Sequence, residues 1–253
     1  MRVLIYSDVH ANAEALAAVA QAAEGRYDTS VCLGDIVGYG ASPNDTSGWV
    51  REHTGVVIRG NHDRACTSLD GIGAFNAVAA QAALWTYHHL EPEMTGWLQE
   101  LPAGPLAWEG CTLVHGSPLD EDEYLLHPVQ AAASFAASDA RLHWYGHSHI
   151  QGGFLLAQEQ VAALGSAAED HPPATAGAHR RELHLEPDTR YLLNPGSVGQ
   201  PRDGDWRAAF ALYDSGRGVV EFHRVPYDLK RAQTRILEAG LPFPLAQRLA
   251  LGK

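Results

Sequence analysis

Apolar residues in this chain come in short runs, and five of the runs stop at a small cluster of Gly, Asp, Asn or His. The first, through Ile5-Tyr6, ends at Ser7-Asp8-Val9-His10, and the second, Val31-Cys32-Leu33, ends at Gly34-Asp35. Val57-Ile58 leads into Arg59-Gly60-Asn61-His62-Asp63, and Leu113-Val114 into His115-Gly116. The last, Leu142 to Tyr145, ends at Gly146-His147-Ser148-His149. Short apolar runs bounded in this way predict buried strands. Between the first three, residues 11–24 place Leu16, Val19, Ala20 and Ala23 near helical spacing behind Asn12, and residues 43–53 open on a proline. Both stretches predict helices. Strand, helix, strand, helix, strand is the pattern of a right-handed parallel sheet. Ligands of such sheets sit beyond the carboxyl ends of the strands, where Asp8, Asp35 and Asn61 fall.

Further along, residues 73–101 read as a helical insert broken at Pro92. Residues 106–108 and 112–114, joined by Glu109-Gly110, read as a hairpin, 120–124 as an acidic loop and 129–137 as a helix. After the double-histidine stretch the pattern changes to strands at 153–158, 182–186, 191–193, 208–213 and 219–225, which predict a second, mostly antiparallel sheet. Residues 166–179, rich in Ala, Pro and polar side chains, predict a disordered loop. Two terminal helices are expected at 229–239 and 244–251. With no internal repeat and no linker, residues 1–253 are expected to form a single domain.

The strand ends collect a particular chemistry. Asp8, His10, Asp35, Asn61, His115, His147 and His149 offer carboxylate, imidazole and amide ligands without a thiolate. That set suits a hard-to-borderline divalent ion such as Mn, Fe or Zn. Seven donors are too many for one ion and the right supply for two, provided one carboxylate bridges. Two ions suit in-line displacement at phosphorus, because they activate water and stabilise charge on the transferring group. His62, beside Asn61, would face the substrate and protonate the leaving oxygen as a general acid. Asp63 either orients His62 or caps the following turn. Asn12 is read as a helix cap or a phosphate contact, and Tyr39 as a packed aromatic or a substrate platform. Arg64 and Arg202 are either surface ion-pair partners or substrate-binding cations.

These residues resemble the five motifs of the calcineurin-like metallophosphoesterase superfamily, in type, order and approximate spacing across the first 150 positions. The resemblance implies an α+β fold, a four-layer α/β/β/α sandwich with a dinuclear site between the sheets. It implies that Asp8, His10 and His149 hold one ion, Asn61, His115 and His147 the other, and that Asp35 bridges them. It also implies His62 as the acid and a metal-bridging hydroxide as the nucleophile. The stretch after Asp35, Ile36-Val37-Gly38-Tyr39-Gly40, lacks the Asp-Arg pair of eukaryotic-type protein phosphatases. Asn194-Pro195-Gly196-Ser197-Val198-Gly199 resembles a turn of the small prokaryotic branch, which includes phosphodiesterases and dinucleoside tetraphosphate hydrolases.

Composition narrows the partners. A formal charge of −12 argues against a nucleic-acid duplex or an anionic membrane, and an anionic substrate can be held by metal ions instead. Three widely spaced cysteines, Cys32, Cys66 and Cys111, make no disulfide framework. No leader pattern precedes the first strand, and no apolar run reaches the roughly 18 residues of a bilayer span, so a cytoplasmic protein is expected. The expected activity is a metal-dependent phosphoesterase acting on a small phosphorylated substrate. A dinucleoside polyphosphate hydrolase and a phosphoprotein phosphatase are the alternatives within that chemistry, and a non-catalytic scaffold of the same fold lies outside it.

Overall fold

The structure, a computed structural model, describes residues 1–165 and 177–253. The strands it contains are β1 (Arg2–Tyr6), β2 (Thr29–Cys32), β3 (Val56–Val57), β4 (Leu106–Trp108), β5 (Cys111–Leu113) and β6 (Leu142–Trp144). They continue with β7 (Gly152–Ala157), β8 (Gln160–Leu164), β9 (His179–His184), β10 (Arg190–Asn194), β11 (Ala208–Asp214) and β12 (Val219–Val225). Two six-stranded sheets result, ordered β3-β2-β1-β11-β12-β9 and β4-β5-β6-β10-β7-β8. As expected, β1, β2 and β3 are parallel and are joined by α1 (Ala13–Ala23) and α2 (Pro43–His53).

One expectation is corrected. The strands beyond residue 150 do not make a second sheet of their own. β11, β12 and β9 extend the first sheet, with β11 antiparallel to β1 so that Arg2 faces Asp214 and Ile5 faces Ala211. β10 instead runs parallel to β6, and β7 and β8 complete the second sheet behind it. The first five residues of β11 are all buried, as a central strand covered on both faces requires. That pattern marks burial on two faces without naming the neighbour, so the partner could not be read from it.

Alternation along the strands builds the layers. On β1, Val3 and Ile5 enter a core shared with Leu113 of β5, Trp144 of β6 and Tyr191 and Leu193 of β10. Leu4 and Tyr6 point the other way, into a core with Leu16 and Val19 of α1. That outer core is closed by α7 (Leu229–Glu238) and α8 (Phe243–Leu249) through Ile236 and Leu245. On β10, Leu192 faces away from the shared core and packs with Phe135 of α6 (Pro128–Ala137). Helix, sheet, sheet, helix is therefore the order of the four layers.

The helical insert is α4 (Ala77–His89) and α5 (Pro92–Glu100), with Asn76 capping the first and Pro92 opening the second. An eight-residue helix, α3 (Asn61–Ser68), has no counterpart among the expected elements. Its sequence, NHDRACTS, is polar and carries no apolar period, so periodicity gave no sign of it. The expected loop at 166–179 lies, but for residues 177–179, outside the described residues. Among the described residues, no helix is long and apolar enough to cross a membrane.

Candidate metal centre

The seven strand-end donors meet at one place, between the carboxyl ends of both sheets and the first turn of α3. Asp8 follows β1, Asp35 follows β2, His115 follows β5, and His147 and His149 follow β6. Gly60 lets the chain pass close here. A Cβ on it would collide with the Asp35 carboxylate and come within 2.8 Å of the His115 ring. Asp8, His10, Asp35, His147 and His149 all have positive φ, between 49° and 60°. Left-handed backbone at non-glycine residues costs on the order of 1 kcal/mol or more each and gathers where function requires it.

Two groups of ligand atoms form. Asp8, His10, Asp35 and His149 each present one atom within 4.8 Å of the others, and Asp35, His115 and His147 do the same. Asp35 belongs to both. Asn61 joins the second group, its Oδ1 lying 3.1 Å from His115 Nε2. All these side chains are buried.

Main-chain contacts aim the groups inward. His10 Nδ1 is 3.1 Å from the Val37 carbonyl, His115 Nδ1 2.8 Å from that of Leu33, and His149 Nδ1 2.6 Å from that of Gln200. A carbonyl only accepts, so each Nδ1 carries the proton and each Nε2 turns toward the centre. His147 is held by the other nitrogen, with Nε2 donating to the Asp122 carbonyl at 3.1 Å. The carboxylates follow the same plan. Asp8 Oδ1 accepts from His147 N at 3.1 Å and Asp35 Oδ1 from His62 N at 2.8 Å. Their Oδ2 atoms are buried without any hydrogen-bond partner.

Those orphaned oxygens test whether the residues fit divalent ions, and they do. His10 Nε2 and His149 Nε2 lie 3.1 Å apart. Burial holds both rings well below the usual histidine range, so two bare lone pairs point at one another. A cation held by these residues would remove the repulsion and partner the free Asp8 oxygen. On the other side, burial disfavours a charged His115, but the Asp35 carboxylate, 3.4 Å from its Nε2, outweighs this and lifts the ring to about 9. Burial pushes Asp8 up to about 7, the response of a carboxylate that lacks its counter-charge.

The remaining expected site residues divide. His62 lies in van der Waals reach of the centre, its ring 4.9 Å from His10, 4.4 Å from Tyr39 and 4.5 Å from Phe75. Its Nδ1 is buried without a partner, and burial lowers the ring to about 4. Asp63 does not meet the His62 ring in any hydrogen bond among the described residues. It accepts from the main-chain N–H groups of Asp35, Ile36, Val37 and Gly60, at 2.8 to 3.2 Å, and so clamps the loop that carries Asp35. Asn12 caps α1 through Ala15 N and donates to the Gly199 carbonyl. Arg64 is paired with Glu121 and Asp122 of the acidic loop. Arg202 reaches the Tyr39 hydroxyl at 3.3 Å and Gln200 Oε1 at 3.1 Å. Asn194 pins the turn after β6, donating to the Gly146 carbonyl and Ser148 Oγ.

A cavity of about 190 Å³ opens beside Asn61, His62 and His147, walled by Tyr39, Phe75 and Tyr124. Sequence reasoning gave no role to Phe75, Tyr124 or Arg248, each of which reaches this region from a distant element. Nothing local distinguishes them.

A family model described as the calcineurin-like phosphoesterase superfamily domain matches residues 1–217. The chain belongs to that superfamily. An uncharacterized protein of Methanocaldococcus jannaschii is 34% identical over 257 residues, covering 99% of this chain and 98% of that one. The crystal structure of a metallophosphoesterase from Sphaerobacter thermophilus superposes with a TM-score of 0.83 at 39% identity, covering 100% of this chain and 99% of that one. A hypothetical protein from Pyrococcus horikoshii, 20% identical and spanning 100% and 98% of the two chains at a TM-score of 0.75, shares the fold. Membership in a phosphoesterase superfamily and a buried His/Asp cluster that fits divalent metal thus agree.

Proposed function

We propose that this chain is a dinuclear-metal-dependent phosphoesterase that hydrolyses a small phosphate ester or diester. The observation that carries the reading is the sharing of Asp35 between two groups of buried ligand atoms. In this reading Asp8, His10 and His149 hold one ion, Asn61, His115 and His147 the other, and Asp35 bridges. Mn, Fe and Zn all suit this donor set. Bound there, two divalent ions would supply activated water and neutralise charge on the transferring phosphoryl group.

The chain's own residues do the rest. The Nδ1 anchors and the backbone donors to Asp8 and Asp35 hold the ligand atoms in place before any ion arrives, which spares reorganisation during the reaction. The 190 Å³ cavity admits a small phosphorylated molecule against Asn61, His147 and His62. His62 is a neutral imidazole at pH 7 when the cavity holds no anion. A phosphate anion beside it raises its proton affinity, so substrate itself arms the ring to protonate the leaving oxygen. The absence of the Asp-Arg pair after Asp35 favours a small molecule over a phosphoprotein. Dinucleoside polyphosphates remain within its chemistry.

The test is hydrolysis of p-nitrophenyl phosphate, bis(p-nitrophenyl) phosphate and dinucleoside tetraphosphates by metal-stripped protein, with each ion added back alone. The reading expects turnover that requires an added ion, abolished by Asp35→Asn and lowered roughly 10²-fold or more by His62→Ala. Turnover that survives chelation, or full activity in Asp35→Asn, would sink it.

A further inference from the structure

His147 is anchored unlike the other histidines of the centre. The carbonyls that hold His115, His10 and His149 belong to Leu33, Val37 and Gln200, all of them buried. The carbonyl that holds His147 Nε2 belongs to Asp122, an exposed residue of the acidic loop. Within that loop Ser117 N donates to the Asp120 carbonyl and Asp122 N to Asp120 Oδ1, both at 2.9 Å. The loop lies against Gly116, where a Cβ would come within 2.6 Å of the Glu121 carbonyl oxygen. An exposed loop is a mobile support for a metal ligand unless something fastens it.

Two arginines fasten it. Arg59 and Arg64 flank Asn61-His62-Asp63, the segment that carries an expected ligand of the second ion and the expected acid. Arg59 Nη2 reaches both carboxylate oxygens of Glu121, at 3.2 and 3.3 Å. Arg64 pairs with the same Glu121 through Nη1 and donates through Nη2 to both oxygens of Asp122, at 2.8 and 3.1 Å. Two cations and two carboxylates thus form one network, with Glu121 between the arginines. A guanidinium held by several acceptors fixes direction as well as distance, and a network holds position where an isolated surface pair does not. Tyr124, two residues beyond Asp122, lays its ring 3.9 Å from that of His147 and hydrogen-bonds the Arg202 side chain.

We propose that Arg59, Arg64, Glu121 and Asp122 are positioning residues that set the span between Asn61 and His147, and with it the affinity of the ion those two share with His115. Among the described residues none of the four bonds to Asp8, His10 or His149, so the other ion lies outside their reach. The two halves of the centre should therefore respond differently when one of these pairs is broken. This inference rests on the two-ion reading above and adds what orients its second half.

The experiment is calorimetric titration of Mn²⁺ into the metal-stripped protein, with His147→Ala identifying the binding step of the second ion. Arg64→Gln and Glu121→Gln should weaken that step about tenfold, the low end for groups that orient a metal ligand, and leave the other step almost unchanged. Arg64→Lys keeps the charge and should weaken it less. Where Arg64→Gln is too unstable to titrate, Asp122→Asn, a change at a half-exposed carboxylate that leaves the carbonyl in place, should weaken the same step alone. Arg51→Gln, which breaks the Arg51–Glu93 pair outside the network, should change neither step. Equal weakening of both steps, or no weakening in folded Arg64→Gln or Asp122→Asn, overturns the positioning role and leaves the two-ion reading standing. A wild type that binds fewer than two ions overturns both.

Discussion

His10 Nε2 and His149 Nε2 face each other at 3.1 Å with no proton between them, because both Nδ1 atoms are committed to main-chain carbonyls. Two lone pairs at that distance repel, and the fold holds them there. The chain alone is therefore less stable than the chain with a cation. Adding Mn²⁺ or Zn²⁺ at 100 times its dissociation constant should stabilise the metal-stripped protein by about 2.7 kcal/mol, raising the melting temperature by about 5–10 °C. His149→Ala relieves the repulsion, so its metal-free form should melt no lower than the metal-free wild type and should gain less from added metal. Scanning calorimetry with and without chelator measures both.

Metal binding should release protons. Asp35 lifts His115 to about 9 against the pull of burial, so at pH 7.5 the metal-free ring is charged and must give up its proton to an ion. Affinity should therefore rise with pH until about pH 9. It should fall more steeply below about pH 7, where the buried Asp8 carboxyl also becomes protonated. Calorimetric titration in two buffers of different ionisation enthalpy at pH 7.5 should count about one proton released per chain. A count near zero contradicts the assignment of His115.

Asp63 is a structural clamp. Asp63→Ala would orphan four buried main-chain N–H groups, at about 1–3 kcal/mol each when fully unsatisfied, so it should lose most of the folded state. Asp63→Asn keeps one acceptor oxygen and should fold with a lower urea midpoint and weaker metal binding. A purely catalytic Asp63 would instead give a variant of normal stability and no turnover.

Gly38 has a φ of +89°, and a Cβ placed on it would lie 2.5 Å from His62 Nδ1. Gly38→Ala should therefore displace the His62 ring. Left-handed backbone at alanine costs about 1 kcal/mol, so stability should fall slightly while kcat falls by an order of magnitude or more. Unchanged metal content with reduced kcat would locate the fault at His62.

What the sequence carried follows from the kind of signal each residue gives. That the seven strand-end side chains and His62 come together was legible because each closes an apolar run, and a strand end fixes where its next side chain lies. The parallel β1-β2-β3 unit was legible from its alternation of strand and helix. Three features were not. β11 gives the pattern of a twice-covered strand, which fits any sheet interior, so its place beside β1 had to come from the structure. α3 has no apolar face to reveal it, since its first turn is spent on Asn61, His62 and Asp63. Arg248 lies about 200 positions beyond Tyr39 in a terminal helix, and no local pattern links them. Chemistry concentrated at strand ends is readable, whereas contacts made by distant elements depend on packing.

The central claim is a two-ion centre bridged by Asp35, and the most direct measurement is anomalous diffraction from crystals grown with Mn²⁺. The account predicts two peaks per chain about 3.5–4 Å apart, one beside Asp8, His10 and His149, one beside Asn61, His115 and His147, with Asp35 between them. A single peak, or two peaks that do not share Asp35, would contradict it.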